Sequence, residues 1–464
     1  MSKKLPIVAI VGRANVGKSS LFNAILDRRE AIVAKEAGTT RDSIWAKAWH
    51  IDQQFWLIDT AGMKQAEDDF EFTIQEQIAQ AADSADVIWV LIEADAIISD
   101  EDRKVAKMAL KTKKPVFLVV NKLDKKPKAV PEDYQRLGIK TIILTSTTQF
   151  KGIELLLDTL VEIIPKAIER DADDRVRLAI LGRPNVGKSA LFNTLSKKQQ
   201  AVVSDRAGTT RDVNRNVVKY QGKEIELLDT AGIRRSGKIG KGIEHFSVIR
   251  TVAAIEQADV CLLLMDATEL NVALDQKIAG MVKEAGKGLI LVVSKWDSLE
   301  EKDAFTRDAL APQIIRNYDF VPWAPLIFTS SVTGQNVTKL FDLTLDIVGK
   351  RQTLVKTREL NQWLRQVTDK HPPAGLKNRA PKLNYMVQEA ENPTNFKIYG
   401  AHTKFLHWSY KRYMDKELRY KFGFEGTPVH FWFFEKHETH KHGVSPTKEK
   451  NKAIRRREAA DNPY

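Results

Sequence analysis

Two short stretches carry the residues best suited to chemistry. "GRANVGKSSLFN" occupies residues 12–23 and "GRPNVGKSALFN" residues 182–193. Both satisfy G-x-x-x-x-G-K-[ST], and both follow an apolar run and precede a helical one, which is the setting a phosphate-binding loop requires. Gly12, Arg13, Ala14, Asn15, Val16 and Gly17 would form the first loop. Gly182, Arg183, Pro184, Asn185, Val186 and Gly187 would form the second. Backbone N–H groups and the helix N-terminus then face the phosphates. Lys18 and Lys188 would reach the β- and γ-phosphates, and Ser19 and Ser189 would offer hydroxyls to Mg²⁺.

Further motifs recur in the same order. "DTAG" closes an apolar run twice, so Asp59 and Asp229 fit the carboxylate that holds Mg²⁺, and Gly62 and Gly232 can give an amide to the γ-phosphate. Thr60, Ala61, Thr230 and Ala231 complete these two turns. "NKLD" (Asn121, Lys122, Leu123, Asp124) and "SKWD" (Ser294, Lys295, Trp296, Asp297) would choose the base. A carboxylate at Asp124 or Asp297 accepts two hydrogen bonds from guanine N1–H and its 2-amino group. Adenine lacks that donor pair, so the reading is GTP and GDP over ATP. The stems of Lys122 and Lys295 would lie along the purine. "AGTTRD" at 37–42 and again at 207–212 stands where a first switch belongs, with Thr40 and Thr210 meeting Mg²⁺ when the γ-phosphate is present. Where a water-orienting glutamine is expected after "DTAG", the chain has Met63 and Ile233, so intrinsic hydrolysis is expected to be slow.

These motifs need strands and helices to hold them. Apolar runs read "LPIVAIVG", "QQFWLIDT", "DVIWVLIEA", "KPVFLVVNK" and "TIILTS" in the first copy, with matching runs in the second. Most are continuous, as in strands buried on both faces of a mainly parallel sheet. Helical patterns alternate with them, which predicts two tandem α/β P-loop domains over residues 1–165 and 177–350. The polar residues 166–176 read as a linker.

The chain has 464 residues, 43% of them hydrophobic, enough for about three domains. Its single cysteine, Cys261, excludes an intrachain disulfide and suits a reducing cytoplasm. No stretch reaches the roughly 18 apolar residues of a membrane span, and no membrane partner is expected. Net charge is +13, and residues 351–464 carry 23 Lys and Arg against 12 Asp and Glu, which points to a polyanionic partner for the last module.

The tandem "GRxNVGKSxLFN…GTTRD…DTAG…[NS]KxD" domains with a basic terminal module resemble the Der (EngA) family of Era-like GTPases over about residues 5–436. That resemblance implies two Era-like G domains and a small α+β KH-like domain at 351–436; the basic tail at 437–464 lies beyond it, lacks apolar periodicity and is expected to be disordered. The resemblance implies GTP hydrolysis in biogenesis of the large ribosomal subunit, with that subunit or its precursor as partner. The free protein is expected to be monomeric and cytoplasmic. The family's hydrophobic residue in place of the catalytic glutamine matches Met63 and Ile233. In related GTPases the Asn of "GRxN" helps bind K⁺, a role that would fall to Asn15 and Asn185, so K⁺-stimulated turnover is expected. The chain departs from the family at Ser294, where the usual Asn would bond the base and brace the loop, and looser nucleotide holding is expected there. The alternative is a nucleotide-latched module with little turnover in one G domain.

Within 351–436, "GFEG" at 423–426 imitates a KH loop, but it lies between a helix and a strand and reads better as a helix cap and turn. Lys411, Arg412, Lys416 and Arg419 are candidate RNA contacts. His437, His440 and His442 belong to a polar tail with no partnering cysteine for a metal.

Overall fold

The computed structural model describes residues 5–26, 45–51, 53–60, 78, 81, 84–164, 175–197, 216–229, 248–299, 305–376, 379–390 and 394–435. The switch threonines Thr40 and Thr210, the turn residues Ala61, Gly62, Met63, Thr230, Ala231, Gly232 and Ile233, and the tail histidines lie outside them, as does the side chain of Asp229.

The first sheet is built from β1 (Ile7–Val11), β2 (Trp45–His50), β3 (Gln53–Asp59), β4 (Val87–Glu93), β5 (Val116–Asn121) and β6 (Thr141–Leu144) in the order β2-β3-β1-β4-β5-β6. The second uses β7 (Val176–Leu181), β8 (Asn216–Tyr220), β9 (Lys223–Asp229), β10 (Val260–Asp266), β11 (Gly288–Ser294) and β12 (Leu326–Phe328). Its order, β8-β9-β7-β10-β11-β12, repeats the first strand for strand. Every pairing is parallel except β2 with β3 and β8 with β9. These antiparallel edge strands are absent from the five apolar runs per copy. "WAKAWH" mixes Lys47 and His50 with apolar residues, as an edge strand does. Val176 already belongs to β7, so the linker ends one residue earlier than the composition suggests.

Helices α1 (Lys18–Leu26), α2 (Asp100–Lys111), α3 (Pro131–Gln135) and α4 (Ile153–Ile163) accompany the first sheet. Helices α5 (Lys188–Lys197), α6 (Val248–Gln257), α7 (Ala273–Glu284), α8 (Thr306–Asn317) and α9 (Lys339–Arg351) accompany the second. β1, β4, β10 and β11 consist of buried residues nearly throughout, Cys261 among them, which is the burial expected of strands covered on both faces.

One hydrophobic cluster contains Ile7, Trp45 and Trp56 together with Ile249, Val252 and Ile255. Within it the buried carboxylate of Glu256 in α6 accepts from the Leu5 amide at 3.2 Å and the Trp56 indole at 2.7 Å. Buried Lys287 donates to the carbonyls of Glu256 and Ala258, at 2.9 and 3.0 Å, and so satisfies that helix's C-terminal end with positive charge.

Residues 345–464 form a separate compact unit that begins inside α9. Its described part holds α10 (Thr357–Lys370), β13 (Lys382–Gln388), β14 (Asn395–Ala401), α11 (Trp408–Phe422) and β15 (His430–Glu435). β13 pairs antiparallel and β15 parallel with β14. Phe396, Ile398, Leu364, Met414 and Leu418 share its core. Among the described residues no helix is long and apolar enough to cross a membrane.

Candidate functional site

Each phosphate loop joins the end of a central strand to a helix, β1 to α1 and β7 to α5. Glycine is required at its first position because a Cβ on Gly12 would come within 2.5 Å of the Leu91 carbonyl. Gly17 is needed for a left-handed φ of 95°. The loops lead directly into helices that begin at Lys18 and Lys188, so their free N–H groups and positive dipole end face one point. Lys18 is 4% exposed, and its ammonium donates to the carbonyls of Gly12 at 2.7 Å and Arg13 at 2.5 Å. Burial pulls its pKa below the usual lysine value, opposed by the charge of Asp59. Lys188 donates to Arg183 O at 2.6 Å.

Asp59, 2% exposed, ends β3 beside β1, and its Oδ2 accepts from Ser19 Oγ at 2.5 Å. A hydroxyl and a buried carboxylate meeting at one point, next to the lysine, are a donor set that suits Mg²⁺. Ser189 lies at the start of α5, and Asp229 ends β9 beside β7, as Asp59 does beside β1. The Thr60 hydroxyl is taken by the Ile10 carbonyl at 2.7 Å, which ties the turn to β1.

The base loops follow β5 and β11. In the first domain Asn121 Nδ2 donates to Val16 O at 3.3 Å, and Lys122 Nζ to Asn15 O at 3.0 Å. Lys122 also pairs with Glu93, and Lys295 with Asp266 at 2.6 Å. Leu123 N bonds to Thr145 O and Trp296 N to Thr329 O, both at 3.1 Å, so each loop is held from the neighbouring strand end. Trp296 is buried edge-on against Phe328. Ser146 Oγ donates to Asp124 at 2.5 Å and holds that carboxyl below the usual range. Asp297 has no such donor: its Oδ1 is buried without a hydrogen-bond partner among the described residues. A buried orphan acceptor at the guanine-reading position fits the N1–H of a guanine.

The expected loss of a brace at Ser294 is not found. Ser294 Oγ donates to Val186 O at 2.6 Å and contacts Met265 O at 3.0 Å. It therefore reaches the same loop carbonyl that Asn121 reaches from a longer side chain. Four acidic residues were not legible as site residues. Asp102 and Asp275 hold the loop arginines, and Glu93 and Asp266 hold the base-loop lysines. "SDED" at 99–102 announces a helix cap, but nothing local announces its arginine partner 89 residues away.

In the terminal unit Gly423 caps α11 with φ 85°, and Phe424 is buried against Phe396, so "GFEG" is a cap and turn. Arg419 is 12% exposed and internally bonded. Its Nε donates to Asp415 at 3.0 Å and its Nη1 to Phe424 O and Thr427 O, which removes it from the RNA candidates. Lys411, Arg412 and Lys416 remain exposed.

The profile of the family described as 50S ribosome-binding GTPase matches residues 7–122 and 177–295. That described as the KH-domain-like C-terminal part of EngA bacterial GTPase enzymes matches 355–433. The chain is 42% identical over 434 residues to the GTPase Der of Chloroflexus aggregans, covering 91% of this chain and 96% of that one. It is 41% identical over 442 residues to the GTPase Der of Lachnoclostridium phytofermentans, covering 94% and 100%. It is 38% identical over 463 residues to the GTPase Der of Thermomicrobium roseum, covering 97% and 99%.

Proposed function

The chain belongs to the GTPase Der family, and from that premise we propose that it hydrolyses GTP at both loops, is stimulated by K⁺, and associates with the large ribosomal subunit or its precursor in a nucleotide-dependent way. One observation carries the reading for the two sites. In each repeat the base loop is hydrogen-bonded to the phosphate loop, Asn121 to Val16 and Ser294 to Val186, so base and phosphates are read at a fixed separation.

Asp124 and Asp297 accept from guanine, the loop amides and Lys18 or Lys188 take the phosphates, and each ammonium, with three donors, reaches phosphate oxygen while keeping the Arg13 or Arg183 carbonyl. Ser19 and Asp59, with Thr40, would hold Mg²⁺, and Ser189, Asp229 and Thr210 would do so in the second site. Bound there, the ion would offset phosphate charge. Gly62 and Gly232 would each give an amide to the γ-phosphate. Asn15 and Asn185, exposed and left-handed at φ 63°, stand at the open side of the loops, where K⁺ would compensate charge that Met63 and Ile233 cannot meet. The family description of a 50S ribosome-binding GTPase supports the large subunit as partner, and exposed Lys411, Arg412 and Lys416 supply charge for rRNA. The reading places the chain in the cytoplasm as a monomer when free.

The test is sedimentation of the full chain with ribosomal subunits in GDP, GTP and a non-hydrolysable GTP analogue. Association with large subunits is expected with the analogue and not with GDP. Equal association in all three states would contradict nucleotide dependence.

A further inference from the structure

We infer that Asp102 and Asp275 are positioning residues of the two phosphate loops, each fixing its loop through the arginine that follows the first glycine and thereby setting the lysine that meets the phosphates. The inference rests on the reading of these loops as GTP sites.

The geometry is the same in both repeats, although the sequence around the aspartates is not. Arg13 Nε lies 2.6 Å from Asp102 Oδ1, with the carboxylate 3% exposed. Arg183 Nε lies 3.1 Å from Asp275 Oδ2, with that carboxylate 0% exposed. Each aspartate is the third residue of its helix, α2 or α7. The arginine that it holds offers its own backbone carbonyl to the loop lysine: Arg13 O to Lys18 at 2.5 Å and Arg183 O to Lys188 at 2.6 Å. One residue thus carries the aspartate on its side chain and the lysine on its peptide, so displacement of the guanidinium moves the carbonyl on which the ammonium rests.

In the first domain a plain structural role competes with this. Asp102 Oδ2 accepts from Ser99 N at 2.9 Å and Ser99 Oγ at 2.8 Å, a capping box that would explain the aspartate by itself. The second domain separates the two roles. The helix there starts after Val272, which has no hydroxyl to exchange, and Asp275 Oδ1 is buried without a hydrogen-bond partner. A buried, half-satisfied carboxylate disfavours the fold. What the position retains is the arginine, which Glu269 also steadies through Nη1 at 2.8 Å.

Asp102→Asn is made in the full chain carrying Lys188→Ala, and Asp275→Asn in the chain carrying Lys18→Ala, so that one loop works at a time. GTP turnover, release of a fluorescent methylanthraniloyl-GDP and Tm are measured. Because misplacement near 1 Å can cost up to about a hundredfold, kcat is expected to fall about tenfold or more with KM changed much less. Tm should be unchanged or higher for Asp275→Asn. Arg183→Lys, which keeps charge without the Nε geometry, should lose kcat likewise. Ser99→Ala, which removes the capping hydroxyl from Asp102 Oδ2 but leaves the Ser99 amide on that oxygen and the Arg13 pair on Oδ1, should lower Tm and leave kcat intact. Unchanged kcat in the Asn variants, full kcat in Arg183→Lys, or an equal kcat loss in Ser99→Ala would each overturn the inference. If the singly silenced parents bind no guanine nucleotide, the GTP-site reading itself falls and takes the inference with it.

Discussion

The hydroxyl of Ser294 donates to the Val186 carbonyl at 2.6 Å, the second-domain equivalent of the 3.3 Å bond from the Asn121 amide to Val16. A shorter side chain makes the shorter bond, so the two halves of the nucleotide site stay joined. What serine does not supply is a second polar group directed beyond the loop carbonyl.

That division predicts opposite outcomes for two substitutions. Ser294→Ala orphans a buried carbonyl, worth about 1–3 kcal/mol, and should speed GDP release from the second site about tenfold. Ser294→Asn should slow it by adding an amide. The position has room, since a Cβ on Gly187 would meet nothing closer than Lys295 at 4.0 Å, whereas one on Gly17 would strike the Asn121 amide at 2.4 Å. Stopped-flow release of labelled GDP, with the first site silenced, measures both.

Turnover should be faster in KCl than in NaCl at matched ionic strength, at both sites, because Met63 and Ile233 cannot orient water and charge must come from elsewhere. Steady-state phosphate release decides the point. Equal rates would remove K⁺ from the mechanism.

Asp275 gives a pH dependence with a definite sign. Arg183, Lys188, Glu269 and the Tyr318 hydroxyl surround it, and burial raises its pKa from 3.8 to about 6 against the pull of Arg183. Between these values the folded chain holds a proton that the unfolded chain has released, so this group's effect on stability worsens as pH rises through the window. Asp275→Asn should therefore raise the Tm of its transition, that of the joined G domains, by about 1–2 °C for each kcal/mol relieved near pH 7.5. The gain should shrink as pH falls toward 5. Differential scanning calorimetry at the two pH values checks it, and a lower Tm at pH 7.5 would contradict the sign.

Arg419→Ala should destabilise the terminal unit by about 2–3 kcal/mol, because it strips partners from the Asp415 carboxylate and the Phe424 and Thr427 carbonyls. Lys416→Ala should leave its Tm within about 1 °C, since exposed substitutions rarely matter, while lowering affinity for rRNA. Urea melts paired with filter binding to rRNA fragments separate the two residues.

The phosphate and base loops were legible as strand ends, turns and helix starts because their motifs are local. A glycine turn, a lysine and a serine at fixed spacing after an apolar run need no long-range knowledge, and the loops sit where those spacings put them. The Ser294 brace joins residues 108 apart, and the Arg13–Asp102 and Arg183–Asp275 pairs join residues 89 and 92 apart. Their helices are plain from sequence, but their partners depend on which strand ends the sheet order brings together. The edge strands β2 and β8 escaped for a related reason. Exposed or half-buried residues, Lys47 and Trp49 in β2 and Val217, Lys219 and Tyr220 in β8, interrupt the pattern that marks a doubly buried strand. Arg419 shows the reverse error, a charge that reads as surface in sequence and is internal in the fold.

The carboxylate of Glu256 and the cluster from Trp56 to Val252 give the duplicated halves a shared core. An excised first half would present Trp45 and Trp56 to water and leave the Trp56 indole without its acceptor. An excised second half would open the Glu256 carboxylate and Ile249, Val252 and Ile255 to water and lose the Leu5 and Trp56 donors. The two copies are therefore expected to melt as one cooperative unit, so calorimetry of the whole chain should resolve fewer transitions than it has domains.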